Sequence, residues 1–554
     1  MLDRRTILSG ATAASLMGGR AWAQGLSRST LPSAPFVEVE TASGKVRGGD
    51  ARGAVAFKGI PYSGQVSGAN RFKAPPPVMP WTGVFDATNL GPPTLQRPHS
   101  TYGEREPGYS EDCLVLNVWT PPGFAAGKRP VMVYFHGGGY STGSAGSTTQ
   151  DGARLAALYD VVVVAPNHRL GLLGFLYLGD LMGDEYATSG NSGMLDMVAS
   201  LQWVKDNIAA FGGDPGNVTL FGESGGGAKV GTLMGMPTAR GLFHKAGIAS
   251  GAQLRRMPKS AATETARRLL KALDLGDARR LTEVPAQKLL ELQWAAEGNE
   301  GPLMQPTDGY AGPAPAAMMG ISFSESELAG HFGPVVDGNV LPADPFDPVA
   351  TPLSADIPLM IGSNRTEASF FNMGRPETFD MSEAALRTRL GVEFGGKADE
   401  ILGVYRALRP QATPSELYIA IATARTMGHE TVVLAGLKSR QTAPVYAYRW
   451  DYSSNFPIPG TTHTLEAGHA CDIGPTFYNW DEGGLHGNGP GVEAASRNLS
   501  ALWTRFVRTG VPSAKSAPAW PRYDTQTRAT MLVDVECQVV NDPDGAARRM
   551  WETI

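Results

Sequence analysis

The sequence predicts an α/β fold with a central, mostly parallel sheet flanked by helices. Two short apolar runs, at residues 129–138 ("RPVMVYFHGG") and 159–169 ("YDVVVVAPNHR"), have the length and β-branched content of strands buried on both faces. A helical pattern and a third apolar run, "NVTLF", follow them. Strands that alternate with helices in this way are typical of a doubly wound sheet.

The helix predicted between these strands is amphipathic. Its apolar residues recur every three or four positions, and they are Met194, Leu195, Val198, Leu201, Val204 and Ile208. We expect Asn191 or Ser192 to cap its start and Gly212 to end it. Residues 356–364 and 443–452 are further strand candidates, each followed by a loop.

The pattern weakens between about residues 255 and 332, which we interpret as an inserted cap or loop region. A stretch rich in Met and Pro lies within it, at residues 301–320. The chain is therefore expected to form one large domain with insertions, over residues 35–554.

Composition excludes several classes of function. The 554 residues carry 48 basic and 53 acidic side chains, interspersed, so no basic run indicates nucleic-acid binding. Beyond the N-terminus we find no apolar run long enough to span a membrane, so no stable span is expected in the mature chain. The cysteines are Cys113, Cys471 and Cys537; their spacing fits no metal site, and we expect small buried side chains.

The N-terminus has the features of an export signal. Arg4 and Arg5 precede a mildly apolar segment at residues 6–19, and "AWA" then fits a small-residue cleavage site before Gln24. We interpret residues 1–23 as a twin-arginine signal peptide of a bacterial protein that is exported to the periplasm or secreted. The alternative is a frayed N-terminal helix.

One serine stands in a motif that requires a particular structural context. Gly222-Glu223-Ser224-Gly225-Gly226 is a G-x-S-x-G sequence between a predicted strand and a predicted helix. A sharp strand-to-helix turn exposes the serine hydroxyl at the carboxyl end of the sheet. The helix N-terminus also favours negative charge. We therefore predict that Ser224 is a nucleophile, although a bare match in a glycine-rich loop would mean little.

A glycine-rich loop after an earlier strand supplies the second half of such a site. The sequence "HGGG" begins at His136, directly after the predicted strand. Backbone N–H groups of such a loop, with that of the residue after the nucleophile, stabilise an oxyanion. We predict Gly138, Gly139 and Gly225 as the donors. A flexible turn is the alternative for "HGGG" alone.

A nucleophilic serine also needs a base and an orienting carboxylate, in the chain order Ser, Asp or Glu, His. Composition alone does not choose among the four downstream histidines, which are His429, His463, His469 and His486.

The chain resembles the type-B carboxylesterases, which are para-nitrobenzyl esterase-like and cholinesterase-like members of the α/β-hydrolase superfamily. The matching segments include "SEDCLVLNVWTP" (residues 110–121), "FHGGGYSTGS", "NVTLFGESGGG" and "FGPVVDG". By this resemblance, "IGSNRTEASFF" nominates Glu367 as the orienting acid, and "GHACDIGPTFYN" nominates His469 as the base, with Asp472 as its polar follower.

The resemblance implies a serine esterase that forms an acyl-enzyme with a small-molecule ester and uses no cofactor or metal. Glu223 and Ser250 match positions that line the site in relatives. Relatives usually carry alanine where this chain has Gly225, which we expect to add room. They also commonly pair the cysteine at position 113 with one upstream, where this chain has Thr94.

Two other functions remain open. A lipase acting on aggregated lipid needs a mobile apolar lid, for which residues 301–320 are a candidate. The family also contains adhesion proteins that have lost the chemistry, but they typically lack a reacting residue. Tyr140, Phe370, Phe371, Tyr478 and Trp480 are candidate walls of a substrate gorge. Neither the natural ester nor the oligomeric state follows from the sequence.

Overall fold

A computed structural model describes residues 36–96, 106–124, 127–296 and 331–554. Residues 36–554 form one compact unit. The predicted signal peptide and the candidate lid at residues 301–320 lie outside the described residues.

The strands occupy the following ranges, numbered β1 to β17 in chain order: Phe36–Thr41, Gly44–Ala51, Ala54–Pro61, Val84–Asp86, Val115–Thr120, Arg129–Phe135, Val162–Pro166, Gly213–Glu223, Lys245–Ala249, Met257–Pro258, Val335–Val336, Leu359–Asn364, Val445–Trp450, Ser454–Pro457, Thr464–Glu466, Ala529–Val533 and Gln538–Asn541.

The α-helices are numbered α1 to α15: Ala153–Tyr159, Gly171–Phe175, Gly179–Met182, Ser192–Asn207, Gly225–Leu233, Lys259–Ala272, Ala286–Ala296, Ala368–Phe371, Glu383–Phe394, Ala398–Leu408, Pro414–Thr423, His429–Lys438, Ile473–Thr476, Val492–Thr509 and Gly545–Trp551.

Across the described ranges, thirteen strands form one sheet. Its order is β1-β2-β3-β5-β7-β6-β8-β9-β12-β13-β16-β17, with β4 paired to β2. The central strands from β7 to β16 run parallel, and antiparallel strands form both flanks. The prediction of a mostly parallel central sheet is confirmed.

The side chains of β6 show how the sheet is buried on both faces. Val131 and Val133 pack into a core with Met194 of α4, whereas Met132 and Tyr134 face a second core that contains Trp503 of α14. Because neighbouring side chains along a strand point to opposite faces, a strand covered on both sides has a continuous apolar run.

The predicted ends of helix α4 are partly wrong. Gly212 closes the short 3₁₀ turn after the helix with a φ of 78°, as expected of a glycine there. The Asn191 side chain makes no capping hydrogen bond. It instead pairs with the backbone N–H and C=O of Val335, which are buried strand groups that need a hydrogen-bond partner.

All three cysteines are free thiols. Cys113 and Cys471 are buried as predicted, but Cys537 is only half-buried. Thr94 stands where relatives commonly have the partner of Cys113, so Cys113 is a free buried thiol.

None of the helices in the described part of the chain is long and apolar enough to cross a membrane.

A buried ion pair joins the end of β7 to α4. The guanidinium of Arg169 donates from Nε and Nη2 to the two carboxylate oxygens of Asp196, at 2.9 and 2.7 Å. Their side chains are only 3% and 0% exposed. The Arg169 backbone N–H also donates to Asp196, so one carboxylate fixes both the side chain and the turn.

We expect Asp196→Ala to lower the free energy of unfolding by about 3–5 kcal/mol, because it leaves a buried guanidinium without its carboxylate. The measurement is urea denaturation followed by tryptophan fluorescence. The control is Glu264→Ala, which breaks an exposed pair with Arg268 and should change stability by about 1 kcal/mol or less. An equal loss of unfolding free energy in both variants would contradict the claim that the buried pair contributes more to stability than the exposed one.

Candidate active site

Ser224 lies in a strained turn between strand β8 and helix α5. Its φ of 57° and ψ of −128° belong to a region that non-glycine residues rarely adopt. Its backbone N–H donates to the carbonyl of Ala249 at 2.8 Å, which ties the turn to the end of the neighbouring strand β9. The predicted strand–turn–helix context is confirmed.

Glycine is required on both sides of this turn because backbone segments approach closely. A Cβ atom on Gly222 would lie 2.4 Å from the carbonyl carbon of Gly226. A Cβ atom on Gly226 would lie 2.0 Å from the carbonyl oxygen of Phe135, at the end of β6. The motif therefore packs strand, turn and helix more tightly than any side chain would allow.

The expectation that Gly225 adds room to the site is wrong. A Cβ atom there would lie 2.2 Å from the carbonyl oxygen of Gly139, so backbone of the glycine-rich loop already occupies that space. Gly138 and Gly139 have φ values of 79° and 60°, which favour glycine. The N–H of Gly225 begins helix α5 and so has no acceptor within the helix.

Glu367 and His469 form a short, buried contact. Nδ1 of the imidazole lies 2.6 Å from Oε2 of the carboxylate. Glu367 is fully buried and His469 is 4% exposed. The other oxygen, Oε1, accepts hydrogen bonds from the Ser250 hydroxyl and the Asn364 N–H, both at 2.6 Å. The carboxylate is thereby held in one orientation toward the ring.

Backbone contacts hold these two residues together although they are distant in sequence. Glu367 follows strand β12 and precedes α8, while His469 lies between β15 and α13. The N–H of Thr366 donates to the carbonyl of Ala467 at 3.0 Å, and that of His469 donates to the carbonyl of Glu367 at 3.4 Å.

The other imidazole nitrogen faces Glu223. Nε2 of His469 lies 3.3 Å from Oε1 of Glu223, close enough for an ion pair but not aligned as a hydrogen bond. Within the described ranges, no hydrogen bond joins the ring to the Ser224 hydroxyl. Nε2 therefore faces the carboxyl group of Glu223, and not the hydroxyl of Ser224.

Burial and mutual repulsion alter the titration of this cluster. Burial raises the pKa of Glu223 to about 8. Burial and the charge of Glu367 raise the pKa of Asp472 to about 6. Burial alone lowers the pKa of His469, but Glu223 and Glu367 outweigh it and raise that pKa to about 9. The carboxyl groups around His469 therefore favour the protonated form of the ring.

The remaining histidine candidates lie in other surroundings. His463 pairs with Asp380 on the surface, at 3.1 Å, and Nε2 of His486 lies 3.0 Å from the carbonyl oxygen of Trp480. His429 begins helix α12. The structure thus brings together Ser224, Glu223, Ser250, Glu367 and His469, whereas His463 and His486 bind residues outside that group.

Asn364 is a site residue that sequence reasoning missed. Its amide Nδ2 donates to the carbonyl of Gly468 at 2.7 Å and to Asp472 at 3.2 Å, so it holds the segment that carries His469. The available signal was its position, since a polar residue that ends a buried parallel strand lies at the edge where sites form.

Two of the candidate gorge aromatics contact the imidazole. The ring centroids of Phe370 and Phe371 lie 5.6 and 4.7 Å from that of His469. Tyr140 is buried and donates to Gln253, while the Tyr478 hydroxyl binds Glu493. Trp480 packs against the core that contains Trp503.

Among the described residues, no group of three or more His, Cys, Asp or Glu side chains is arranged to hold a metal ion.

Comparisons with known proteins agree with this architecture. Residues 33–551 match the carboxylesterase family. The chain is 35% identical to the para-nitrobenzyl esterase of Bacillus subtilis (strain 168), over 92% of this chain and 97% of that protein. The crystal structure of the Geobacillus stearothermophilus carboxylesterase EST55 at pH 6.2 is 36% identical, with a TM-score of 0.77 over 93% of this chain and 99% of that chain.

A third relative, an esterase from Clostridium hathewayi that can hydrolyze aliphatic aromatic polyesters, is 31% identical, with a TM-score of 0.74 over 94% of this chain and 99% of that one. The fold is therefore that of the α/β-hydrolases, and the expected ester-hydrolase activity is supported by relatives along nearly the whole chain. The chain belongs to the carboxylesterase family and hydrolyses carboxylic esters.

Proposed function

We propose that ester hydrolysis proceeds through an acyl-enzyme formed on Ser224. The hydroxyl oxygen attacks the ester carbonyl while His469 accepts its proton, and the imidazolium then protonates the departing alcohol. Water repeats the sequence on the acyl-enzyme and releases the acid. Glu367 holds the ring and stabilises the imidazolium.

The contact between Nδ1 of His469 and Glu367, at 2.6 Å, is the observation that carries this proposal. A carboxylate that accepts the Nδ1 proton leaves Nε2 as the nitrogen that exchanges a proton with substrate or serine. Because Ser250 and Asn364 also hold Glu367, the carboxylate is a fixed partner for the ring.

Glu223 determines when the base is available. Nε2 lies 3.3 Å from Glu223, and the carboxylates around His469 raise the pKa of the ring, so His469 accepts a proton from Ser224 only once it has lost its own. Glu223 is therefore proposed as a group that sets the pH range of activity.

The oxyanion of the tetrahedral intermediate is assigned to backbone donors, namely the N–H groups of Gly138, Gly139 and Gly225. The loop and the helix that carry them meet at the Gly139–Gly225 contact. Donors fixed in this way are aligned before charge develops, which is the source of their effect.

We also propose that residues 1–23 direct export and that the mature enzyme acts in the periplasm or outside the cell. The support is the sequence pattern of Arg4 and Arg5, the apolar segment and the "AWA" site.

Replacing Ser224 by alanine should lower kcat/KM for p-nitrophenyl esters by about 10⁴-fold or more, since the nucleophile is removed. A fluorophosphonate should label the wild type once, at the peptide that contains Ser224. Ser250→Ala is the matched control, because it loses only a support of Glu367 and should retain labelling. Undiminished turnover in Ser224→Ala would refute the assignment.

In the wild type, kcat/KM should rise as the pH is raised toward 9, because the His469 ring of the free enzyme must lose its proton. Glu223→Gln removes the negative charge nearest to Nε2. The pKa of His469 should then fall, and the midpoint should move down by roughly one to three pH units. The control is the surface variant Glu493→Gln. A wild-type midpoint that Glu223→Gln leaves in place would contradict this role.

The double variant Arg4→Lys, Arg5→Lys should hold the uncleaved precursor inside the cell, because the paired arginines are the recognised element of the signal. Fractionation of a bacterial host and the mass of the N-terminus provide the measurement. Export of the double variant in normal amounts would exclude a twin-arginine route.

A further inference from the structure

Helix α5 carries a buried lysine close to the proposed oxyanion site. Lys229 is 0% exposed and lies within α5, five residues after Ser224. Among the described residues, its Nζ makes a single hydrogen bond, 2.9 Å to the carbonyl oxygen of His136, and no carboxylate lies within ion-pair distance.

The surroundings of this amine contain no compensating charge. The rings of His136 and His168 stack at 4.6 Å with an angle of 4° between their planes, and both residues are buried. Burial, together with the positive charge of Lys229, holds the pKa of both rings well below the ordinary histidine value. Burial likewise lowers the pKa of Lys229.

A buried amine with one neutral partner is unfavourable for stability. An apolar side chain of the same length would fill the space without any desolvation penalty. The position of Lys229 therefore calls for an explanation other than folding, because groups of this kind concentrate at functional sites.

The carbonyl that Lys229 binds lies at the root of the glycine-rich loop. It belongs to the peptide group between His136 and Gly137, directly before Gly138 and Gly139. Glycines offer no side chains by which the protein could hold such a loop. The amine thus attaches the loop to the same helix that begins with Gly225.

We propose that Lys229 is a positioning residue of the oxyanion site: its Nζ–H···O=C bond to His136 fixes the glycine-rich loop on helix α5, so that loop amides and the Gly225 N–H converge on one oxygen. This inference rests on the proposed function of those amides.

The decisive variant is Lys229→Met, which keeps the length of the side chain and removes the amine. We expect a thermal midpoint equal to or higher than that of the wild type, a kcat lower by about 10- to 100-fold, and a KM within about threefold. A trifluoromethyl ketone gives a second readout. Ser224 adds to its carbonyl carbon, the carbonyl electron pair becomes an oxyanion, and the serine proton passes to His469. Its affinity should fall by the same factor as kcat.

The control is Lys438→Met. Lys438 is also 0% exposed, but its Nζ binds the Ser354 carbonyl and the Gln441 side chain, both at 2.7 Å, at the end of helix α12. Because methionine here leaves the Ser354 and Ala355 carbonyls and the Gln441 side chain without their donor, and not one carbonyl alone, this variant should lose stability and keep kcat and inhibitor affinity. Lys229→Gln, which retains an N–H donor, should recover part of the activity.

Unchanged kcat and unchanged ketone affinity in a folded Lys229→Met would overturn the inference. So would failure of both Lys229 variants to fold, since the lysine would then be a folding requirement. The proposed function fails separately, when wild-type enzyme is not labelled at Ser224 by a fluorophosphonate.

Discussion

One imidazole and three carboxyl groups share a buried space at the carboxyl edge of the sheet. Glu223, Glu367 and Asp472 cannot all be ionised there at low energy, so burial raises the pKa values of Glu223 and Asp472, and the charge cluster keeps a proton on His469. Much of the surrounding structure serves this cluster. Ser250 and Asn364 satisfy Glu367, and the Asn364 side chain also binds Asp472.

The topology explains why these groups meet. Strands β8, β9 and β12 are neighbours in the sheet and run parallel, so their carboxyl ends lie side by side. Ser224 follows β8, Ser250 follows β9 and Glu367 follows β12. A parallel sheet therefore converts three positions spread over 144 residues of sequence, from 224 to 367, into one local arrangement.

Sequence reasoning was reliable where a local pattern has one structural solution. The apolar runs of β6 and β7, the turn at Ser224 and the glycine at position 212 belong to this class, because their constraints come from a few neighbouring residues. It was less reliable where the partner is distant. Asn191 has the sequence position of a helix cap, but its side chain binds the backbone of Val335. Glycine at position 225 predicts extra space in the site, but the backbone of Gly139 occupies that space. Nothing in the chain near either residue reveals these partners.

The choice of the catalytic-base candidate shows the same limit of local sequence patterns. Four imidazoles follow the acid in sequence, and residue types alone did not distinguish them. Resemblance nominated His469, and the structure places its ring against Glu367. No sequence pattern predicts that Nε2 of His469 faces Glu223, because this contact depends on the side-chain rotamers of the two residues.

The contact between Gly225 and Gly139 means that the turn at Ser224 and the glycine-rich loop are packed directly against each other. Neither segment can move alone without losing packing against the other or clashing with it. Directed evolution toward bulkier esters is therefore expected to select compensating substitutions in both segments together. A substitution at Gly225 that a related enzyme with a more distant loop tolerates would be deleterious in this protein.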